Sequence, residues 1–336
     1  MNDNKNIIFP YFKPFFLYHC IQFSDKEMQL TDKWYLICNP TSNRGQMLRT
    51  WPKVKNILDR EEITYDFVLT EYNNHAIGIT HRILKAGYRK IVVLGGDGSV
   101  NEVITGIFSQ NEVAPGDILV ALIPLGTAND WARMHHIPGD PEAAVQLLKN
   151  GNIHQQDIGK VVYQTVEGST TRYFNNIAGM SYDAFVVKYI ADLNTKNMNK
   201  VKYLFFTLYC LFRFKLPKTR VVFDGGKIED FAYTINVGIC KYSGGGMQLV
   251  PHAKSDDGLF ALTFVHKLSK IRVVLNTYRF FTGTLAALPE VRTFDTKRVL
   301  VEPVGDSTVG LEVDGEFMGY APASFEIIPG ALNFIA

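Results

Sequence analysis

The sequence predicts a two-domain protein of the α/β plus all-β class, with an N-terminal Rossmann-like α/β domain followed by a C-terminal antiparallel β-sandwich domain. The chain has 336 residues, more than one hydrophobic core usually organises. As far as Gly159, short β-branched runs alternate with amphipathic stretches, which is typical of βαβ units and a mostly parallel sheet. Beyond Gly159, short alternating segments are separated by turn dipeptides, which is typical of antiparallel strands.

The first half contains a regular series of predicted strands and helices. The predicted strands are 34–38, 65–69, 91–94 and 118–123. Val100, Val103, Ile104 and Ile107 recur at helical spacing, so the helix after the third strand has one apolar face. A later helix begins with Asp140 as N-cap and Pro141 at its first position, and Gly151 is predicted to end it as a left-handed C′ glycine.

The pattern in the second half of the sequence predicts a β-sandwich or a β-barrel with a single helix, at 199–216. The predicted strands are 221–223, 231–240, 259–265, 299–304, 310–313 and 324–328. The domains are then an N-terminal appendage at 1–30, a nucleotide-binding domain at 31–158 and a β-rich domain at 159–336. The last strand or tail of the β-rich domain is open to return to the first domain.

Composition and charge narrow the class of function. The formal net charge is +2, far from the strongly basic balance that binding to a phosphate backbone requires, so nucleic acid is not expected as a partner. The four cysteines form no CxxC pair, which fits neither a zinc site nor a disulfide framework and favours a reducing cytoplasm. The apolar stretch 7–17 is too short to span a bilayer.

Two glycine-containing loops follow neighbouring predicted strands. The first reads Gly95-Gly96-Asp97-Gly98-Ser99, and the second runs from Pro124 to Asp130 with the sequence PLGTAND. Ligands of open α/β sheets bind at the carboxyl ends of strands, where glycines let the backbone approach a phosphate and a helix N-terminus favours its charge. Asp97 beside a polyphosphate is unfavourable unless a cation or a ribose hydroxyl lies between them, and of the two the residue pattern favours a hydrated Mg²⁺. A structural tight turn and helix capping by Asn129 and Asp130 are the alternatives.

The two loops together resemble those of the diacylglycerol kinase catalytic domain family, which includes bacterial lipid kinases and sphingosine kinases. The resemblance extends to Asn39-Pro40, Thr70-Glu71, Asp157-Ile158-Gly159, Asp256-Asp257-Gly258 and Asp314-Gly315-Glu316, and so covers nearly everything after about residue 33. Asn43 and Asn74 stand where the family usually has glycine, and asparagine tolerates left-handed backbone conformations better than other non-glycine residues.

That resemblance implies ATP and Mg²⁺ as cofactors and assigns site residues. The implied ATP-binding residues are Asn39, Thr70, Gly95, Gly96, Asp97, Gly98, Ser99, Val100, Asn101, Gly126 and Thr127. The implied Mg²⁺ network is Asp97, Asp130 and Asp157, and the implied ligands of a structural cation are Lys254, Asp257 and Leu259. The implied catalytic residues are Asp97, Asp314 and Glu316, of which Glu316 would accept the proton of the lipid hydroxyl. Without the resemblance, 256–258 reads as a solvated turn and 314–316 as a hairpin tip.

The apolar run 203–212 has basic residues on both sides. It is predicted either as a core helix with solvated ends or as a wall of an acyl-chain tunnel whose rim binds anionic headgroups. The implied function is an ATP-dependent kinase of lipid metabolism that phosphorylates diacylglycerol or a related long-chain alcohol or sphingoid base, in peripheral contact with the inner face of the membrane. An NAD kinase-like phosphotransferase and an inactive lipid-binding regulator are the alternatives. The sequence leaves a homodimer open.

Overall fold

The computed structural model describes residues 32–193 and 200–336, so the predicted appendage lies outside the described residues. The strands are β1 (Trp34–Cys38), β2 (Tyr65–Leu69), β3 (Lys90–Gly95), β4 (Leu119–Pro124), β5 (Ile153–Thr165), β6 (Gly168–Phe174), β7 (Ile177–Ser181), β8 (Lys218–Phe223), β9 (Gly226–Gly238), β10 (Tyr242–Ser243), β11 (Met247–Gln248), β12 (Phe260–His266), β13 (Val291–Thr296), β14 (Arg298–Pro303), β15 (Gly310–Val313) and β16 (Glu316–Ile335). The helices are α1 (Ser42–Arg60), α2 (His75–Lys85), α3 (Asp97–Ser109), α4 (Asp130–Met134), α5 (Pro141–Asn150), α6 (Tyr182–Asp192), α7 (Lys200–Arg213), α8 (Lys270–Asn276) and α9 (Tyr278–Thr282).

The N-terminal half is a parallel sheet in the order β2-β1-β3-β4 with helices on both faces. On one face α2 and α3 pack their apolar stripes against Ile37 and Val93. On the other face α1 and α5 cover Leu36 and Leu94. Strands buried on both faces explain the continuous apolar runs in this half of the sequence. The predicted α/β class and the apolar face of α3 are confirmed.

The C-terminal half is antiparallel, and its strands follow the order β13-β12-β9-β7-β15-β16. β14, β8, β5 and β6 are attached to the side of this path through β16 and β9. β16 is a 20-residue strand that pairs with β15, β14 and β5 and then runs parallel to β4, with Asn333 opposite Leu119. The last strand therefore joins the two halves into one sheet.

Two local predictions differ from the structure. The prediction of a single helix in the second half is wrong, because α6, α8 and α9 are helical as well as α7. The α8 sequence KIRVVLN contains three β-branched residues, but a local cap starts the helix, because the Ser269 hydroxyl accepts from the N–H of Arg272. Gly151 is not a left-handed C′ residue, since its φ is −71°. A side chain there would instead collide with Ile335 and with the carbonyl of Leu147.

Candidate active site

The two predicted glycine loops are in direct contact at the carboxyl ends of β3 and β4. A methyl group on Gly96 would lie 2.8 Å from the Cα of Gly126, so the absence of side chains at both residues lets the loops pack backbone against backbone. The side chain of Asn129 closes the second loop, because its Oδ1 accepts from the N–H of Gly126 and its amide donates to the Gly126 carbonyl. The glycines are thus required for loop packing as well as for access to the backbone.

The loops that surround this junction use asparagine in left-handed conformations. Asn43 has φ +46° and Asn74 has φ +63°, a conformation that asparagine tolerates better than other non-glycine residues. Asn39 follows β1 and donates to the hydroxyl of Ser99 at 3.0 Å, while the hydroxyl of Thr127 faces Asn43 at 3.5 Å. The polar residues predicted from the first strand and from both loops therefore lie together.

Three more of the predicted nucleotide-site residues, Thr70, Val100 and Asn101, have different surroundings. Thr70 follows β2, and its N–H donates to the carbonyl of Cys38. Val100 is fully buried in the core beneath α3, so only its backbone is near the loop. The Asn101 amide donates to Asp314 and to the carbonyl of Tyr173. Asn101 therefore connects the phosphate loop to the second half of the chain.

Asp97 and Asp130 form an acidic pair between the two loops. Asp97 Oδ1 accepts from the N–H of Trp131 at 3.0 Å. Asp130 is buried, and its Oδ2 accepts from the N–H of Gly245, in the glycine turn between β10 and β11, at 2.7 Å. Burial, with the nearby Asp97 charge adding to it, raises the pKa of Asp130 to about 6. Its Oδ1 makes no hydrogen bond among the described residues.

Asp157, the third residue of the predicted Mg²⁺ network, is held by a different part of the fold. Its two oxygens accept from the N–H groups of Gly258 and Gly330, both at 2.7 Å. Burial raises its pKa, and the neighbouring charges that contribute are Asp257 and Asp256. Within the described residues no group of three or more His, Cys, Asp or Glu side chains is spaced to hold a metal ion. The network of three carboxylates remains a prediction.

The predicted structural cation site lies in the same turn. Asp257 is exposed, and its Oδ1 accepts from the N–H of Leu259 at 3.1 Å. Lys254, whose carbonyl was predicted as a ligand, is exposed at the start of the turn. The turn is stabilised in this form by protein hydrogen bonds, and its cation site also remains a prediction.

The turn between β15 and β16 carries the two predicted catalytic acids in different environments. Asp314 accepts from the Asn101 amide and from the backbone N–H groups of Asn175, Asn176 and Ile177. Burial nevertheless raises its pKa to about 6. This carboxylate fixes the turn to β7, and its hydrogen-bonding capacity is used by the protein.

Glu316, in contrast, faces the cleft. A methyl group on Gly98 would lie 3.5 Å from Glu316 Oε1, which puts this oxygen against the first glycine loop. Its Oε2 lies 3.5 Å from Nη2 of Arg172. Burial raises the pKa of Glu316, the Arg172 charge opposes that effect and Glu102 adds to it. Glu316 is therefore the acid that remains available beside the loop.

Sequence analysis missed Arg172 on β6. This side chain is 7% exposed and donates to Asn101 and Asn74, both at 2.9 Å. A charged residue within the otherwise uncharged strand sequence GSTTRYF is the available signal. Its partners come from distant parts of the sequence, so spacing alone did not identify them.

One cavity of about 1000 Å³ connects these groups to an apolar chamber. Asp97, Thr127, Asp130 and the 314–317 turn line its polar end. The rest is lined mainly by apolar side chains of α6 to α9, which include Val186, Ile190, Leu204, Leu208, Leu211, Val273, Phe280 and Phe281. The predicted run 203–212 forms α7, which both packs into the fold through Cys210 and lines this cavity. No helix among the described residues has the length and apolar character needed to cross a bilayer.

A second pair of acids, also missed from the sequence, lies in the wall of this cavity. Glu312 is buried and Asp183 is partly exposed, and neither has a cationic partner among the described residues. Burial raises the pKa of Asp183 to about 6 and that of Glu312 well above its usual range, with the Asp183 charge adding to the latter. Both carboxyl groups therefore give up their protons less readily than exposed acids do.

Comparison with known proteins adds to this geometry. The family described as the diacylglycerol kinase catalytic domain matches residues 33–161, and the YegS C-terminal NAD kinase beta sandwich-like domain matches residues 176–336. A diacylglycerol kinase of Staphylococcus haemolyticus is 30% identical over 291 residues, which are 86% of this chain and 84% of the relative. This chain belongs to the diacylglycerol kinase family. Kinase-type phosphoryl transfer follows from that membership.

Solved structures share the fold of this family member. A diacylglycerol kinase from Bacillus anthracis strain Sterne superposes with a TM-score of 0.66 at 19% identity, covering 90% of this chain and 96% of the other. A yeast NADH kinase in complex with NADH superposes with a TM-score of 0.50 at 11% identity, covering 92% and 84%. The predicted fold class, an α/β domain of the NAD kinase and diacylglycerol kinase type with a β-sandwich, is thereby confirmed.

Proposed function

We propose that this protein is an ATP-dependent lipid kinase that phosphorylates the hydroxyl of diacylglycerol, giving phosphatidic acid, or of a related long-chain alcohol or sphingoid base. The observation that carries the proposal is the continuity of the cavity, which has phosphate-loop residues and Glu316 at one end and apolar side chains at the other. A lipid acceptor needs both ends, because its acyl chains need apolar burial while its hydroxyl must meet the nucleotide. The dinucleotide acceptor of an NAD kinase is polar and has no acyl chain to bury against the apolar walls of α6 to α9.

The roles of the individual groups follow from their positions. Glu316 accepts the proton of the lipid hydroxyl while the hydroxyl oxygen forms a bond to the γ-phosphorus of ATP. The bond between that phosphorus and the β–γ bridging oxygen breaks at the same time, and ADP leaves. The backbone N–H groups of the 95–99 loop and the start of α3 stabilise the charge on the phosphoryl group. Asp314 fixes the turn that presents Glu316. Positioning and charge stabilisation supply most of the rate.

Mg²⁺ fits the acidic pair of Asp97 and Asp130. Asp130 has a buried carboxylate oxygen without a hydrogen bond among the described residues and a pKa raised to about 6. Arg133 Nε already lies 3.7 Å from this oxygen, and a metal ion beside it would compensate the remaining cost of burial and the repulsion from Asp97. Mg²⁺ usually takes one or two protein carboxylates and completes its shell with water and substrate phosphates, so Asp157 is not needed as a ligand. When bound, the ion neutralises charge on the nucleotide phosphates.

Contact with a membrane surface is part of the proposal, since diacylglycerol resides in bilayers. The outer faces of α7 and α8 expose large apolar side chains, of which Phe205 is 62%, Phe212 66%, Ile271 74% and Leu275 69% exposed. Lys270 lies between them, with its ammonium bonded to the carbonyl of Phe212. We call Phe205, Phe212, Ile271 and Leu275 the apolar rim. The opposite sides of the same helices line the cavity. A bilayer in contact with the apolar rim would therefore place its lipids beside the apolar end of the cavity. Together with the expected cytoplasmic location, this favours the inner face of the membrane.

Phosphoryl transfer from labelled ATP should be measured with diacylglycerol, ceramide, long-chain bases and NAD in parallel, with Asp97→Asn as the inactive control. We expect product with at least one lipid and none with NAD. Transfer only to NAD would replace the proposal with an NAD kinase activity. Transfer to none of them, with ATP still bound, would indicate a lipid-binding regulator instead.

Membrane contact is tested by sedimentation with vesicles of phosphatidylglycerol and phosphatidylcholine. Phe205→Ser with Leu275→Ser should lower binding by tenfold or more, because burial of each side chain contributes roughly 1.5–3 kcal/mol. Val166, which is fully exposed in the turn between β5 and β6, provides the matched control as Val166→Ser. Equal binding by the rim variant and the control would refute the proposed surface.

A further inference from the structure

Arg172 has a set of contacts that the proposed chemistry does not yet explain. Its Nε and Nη1 are each fixed by an asparagine oxygen, Asn101 on α3 and Asn74 at the start of α2. The remaining nitrogen, Nη2, is buried and makes no hydrogen bond within the described part of the chain. It faces Glu316 Oε2 at 3.5 Å. An arginine that is already held at two nitrogens loses little further conformational freedom when its third nitrogen meets a carboxylate. The guanidinium of Arg172 is therefore pre-organised for Glu316.

We propose that Arg172 is a positioning residue for phosphoryl transfer, which holds the Glu316 carboxylate ionised and directed at the first glycine loop. This inference rests on the proposed function, in which Glu316 accepts the proton of the acceptor hydroxyl. Arg172 itself need not touch the lipid. It acts on one oxygen of Glu316 while the other oxygen faces Gly98.

The charges around Glu316 explain how such a partner would act. In the described residues the charged groups that act on Glu316 are Arg172 from β6 and Glu102 from α3. Burial raises the pKa of Glu316 and so does Glu102, whereas Arg172 lowers it. A general base must be ionised before it can take a proton. Loss of the Arg172 charge would leave burial and Glu102 unopposed and would keep Glu316 protonated to higher pH.

The same contacts connect Glu316 to the nucleotide side of the cleft. Asn101 accepts from Arg172 and donates to Asp314, so one asparagine on α3 fixes both the arginine and the turn that carries Glu316. A displacement of α3 would therefore move the base and its partner together. This coupling distinguishes Arg172 from a surface cation that happens to lie near an acid.

The test is the pH profile of kcat for lipid phosphorylation in the full chain. Arg172→Gln should move the acidic limb to higher pH, so that kcat at about pH 6 falls tenfold or more relative to a smaller loss at about pH 8. Glu102→Gln removes the opposing charge and should move the same limb to lower pH. Arg172→Lys keeps the charge and should restore the limb in part. A uniform loss of kcat in Arg172→Gln, without movement of the limb, would show a purely structural role and overturn the inference.

A second readout does not depend on the lipid. Unfolding midpoints of Arg172→Gln, Glu316→Gln and the double variant form a double-mutant cycle, and coupling that fades towards acidic pH is expected if the two charges interact. Additive effects at all pH values would contradict the pairing. If wild type phosphorylates no lipid, the proposed function fails while the cycle still decides whether Arg172 holds Glu316. Should Arg172→Gln not fold, Arg172→Lys and Glu102→Gln carry the same test.

Discussion

Replacement of Gly96 by alanine should disable the site through the packing of two loops. The new methyl group would lie 2.8 Å from the Cα of Gly126, whereas non-bonded carbons prefer about 3.5–4.0 Å. The loops must therefore separate by roughly 1 Å, a misplacement that can lower rates by about a hundredfold. Gly96 has φ −116° and ψ −166°, an extended conformation open to any residue, so backbone strain adds nothing. Overpacking should cost about 1–3 kcal/mol of stability.

The assay compares nucleotide affinity, kcat and the midpoint of urea unfolding for Gly96→Ala with those of Gly116→Ala. Gly116 is the matched control because a methyl group there would meet no atom within 4 Å. We expect weaker nucleotide binding and a roughly hundredfold lower kcat for Gly96→Ala alone. Wild-type affinity and kcat in Gly96→Ala would refute the argument that close contact of the loops builds the phosphate site.

Three further predictions concern single side chains. Asp97→Asn should lower kcat more than Glu316→Gln at saturating ATP, since charge neutralisation outweighs proton transfer; a larger loss in Glu316→Gln would reverse that order. Asp183→Asn should stabilise the protein at about pH 8 by up to ~3 kcal/mol and have little effect below about pH 4, because a pKa raised from 3.8 to about 6 makes stability fall as pH rises through this window. Equal effects on the thermal midpoint at both pH values would contradict this. Gly78→Ala, in α2 with open space around it, should raise the free energy of unfolding by about 0.5–1 kcal/mol, measured as a higher urea midpoint, and a lower midpoint would show a hidden packing role.

The contact between the two glycine loops could be predicted from the sequence because its signals are local. The 95–99 loop and PLGTAND each follow an apolar strand directly, and the carboxyl ends of adjacent parallel strands must meet. The left-handed conformations at Asn43 and Asn74 likewise follow from residue type. Local signals of this kind require no knowledge of tertiary contacts.

The rest of the candidate site depends on contacts that no spacing in the sequence reveals. Arg172 reaches Glu316 across 144 positions, the difference between their numbers, and Glu312 is buried between two apolar residues of β15 where alternation would predict exposure. Each of these features is determined by tertiary structure, which overrides local propensity.

β16 begins at Glu316 and ends in register with β4. Glu316, the residue proposed to take the proton, is thus the first residue of a strand whose other end is hydrogen-bonded to the N-terminal parallel sheet. A strand paired at both ends cannot move relative to either half without breaking hydrogen bonds to its neighbouring strands. Nucleotide binding should therefore leave the radius of gyration in small-angle scattering almost unchanged. Access for the lipid would then be controlled by the helices around the chamber, with the two halves of the chain behaving as one rigid frame.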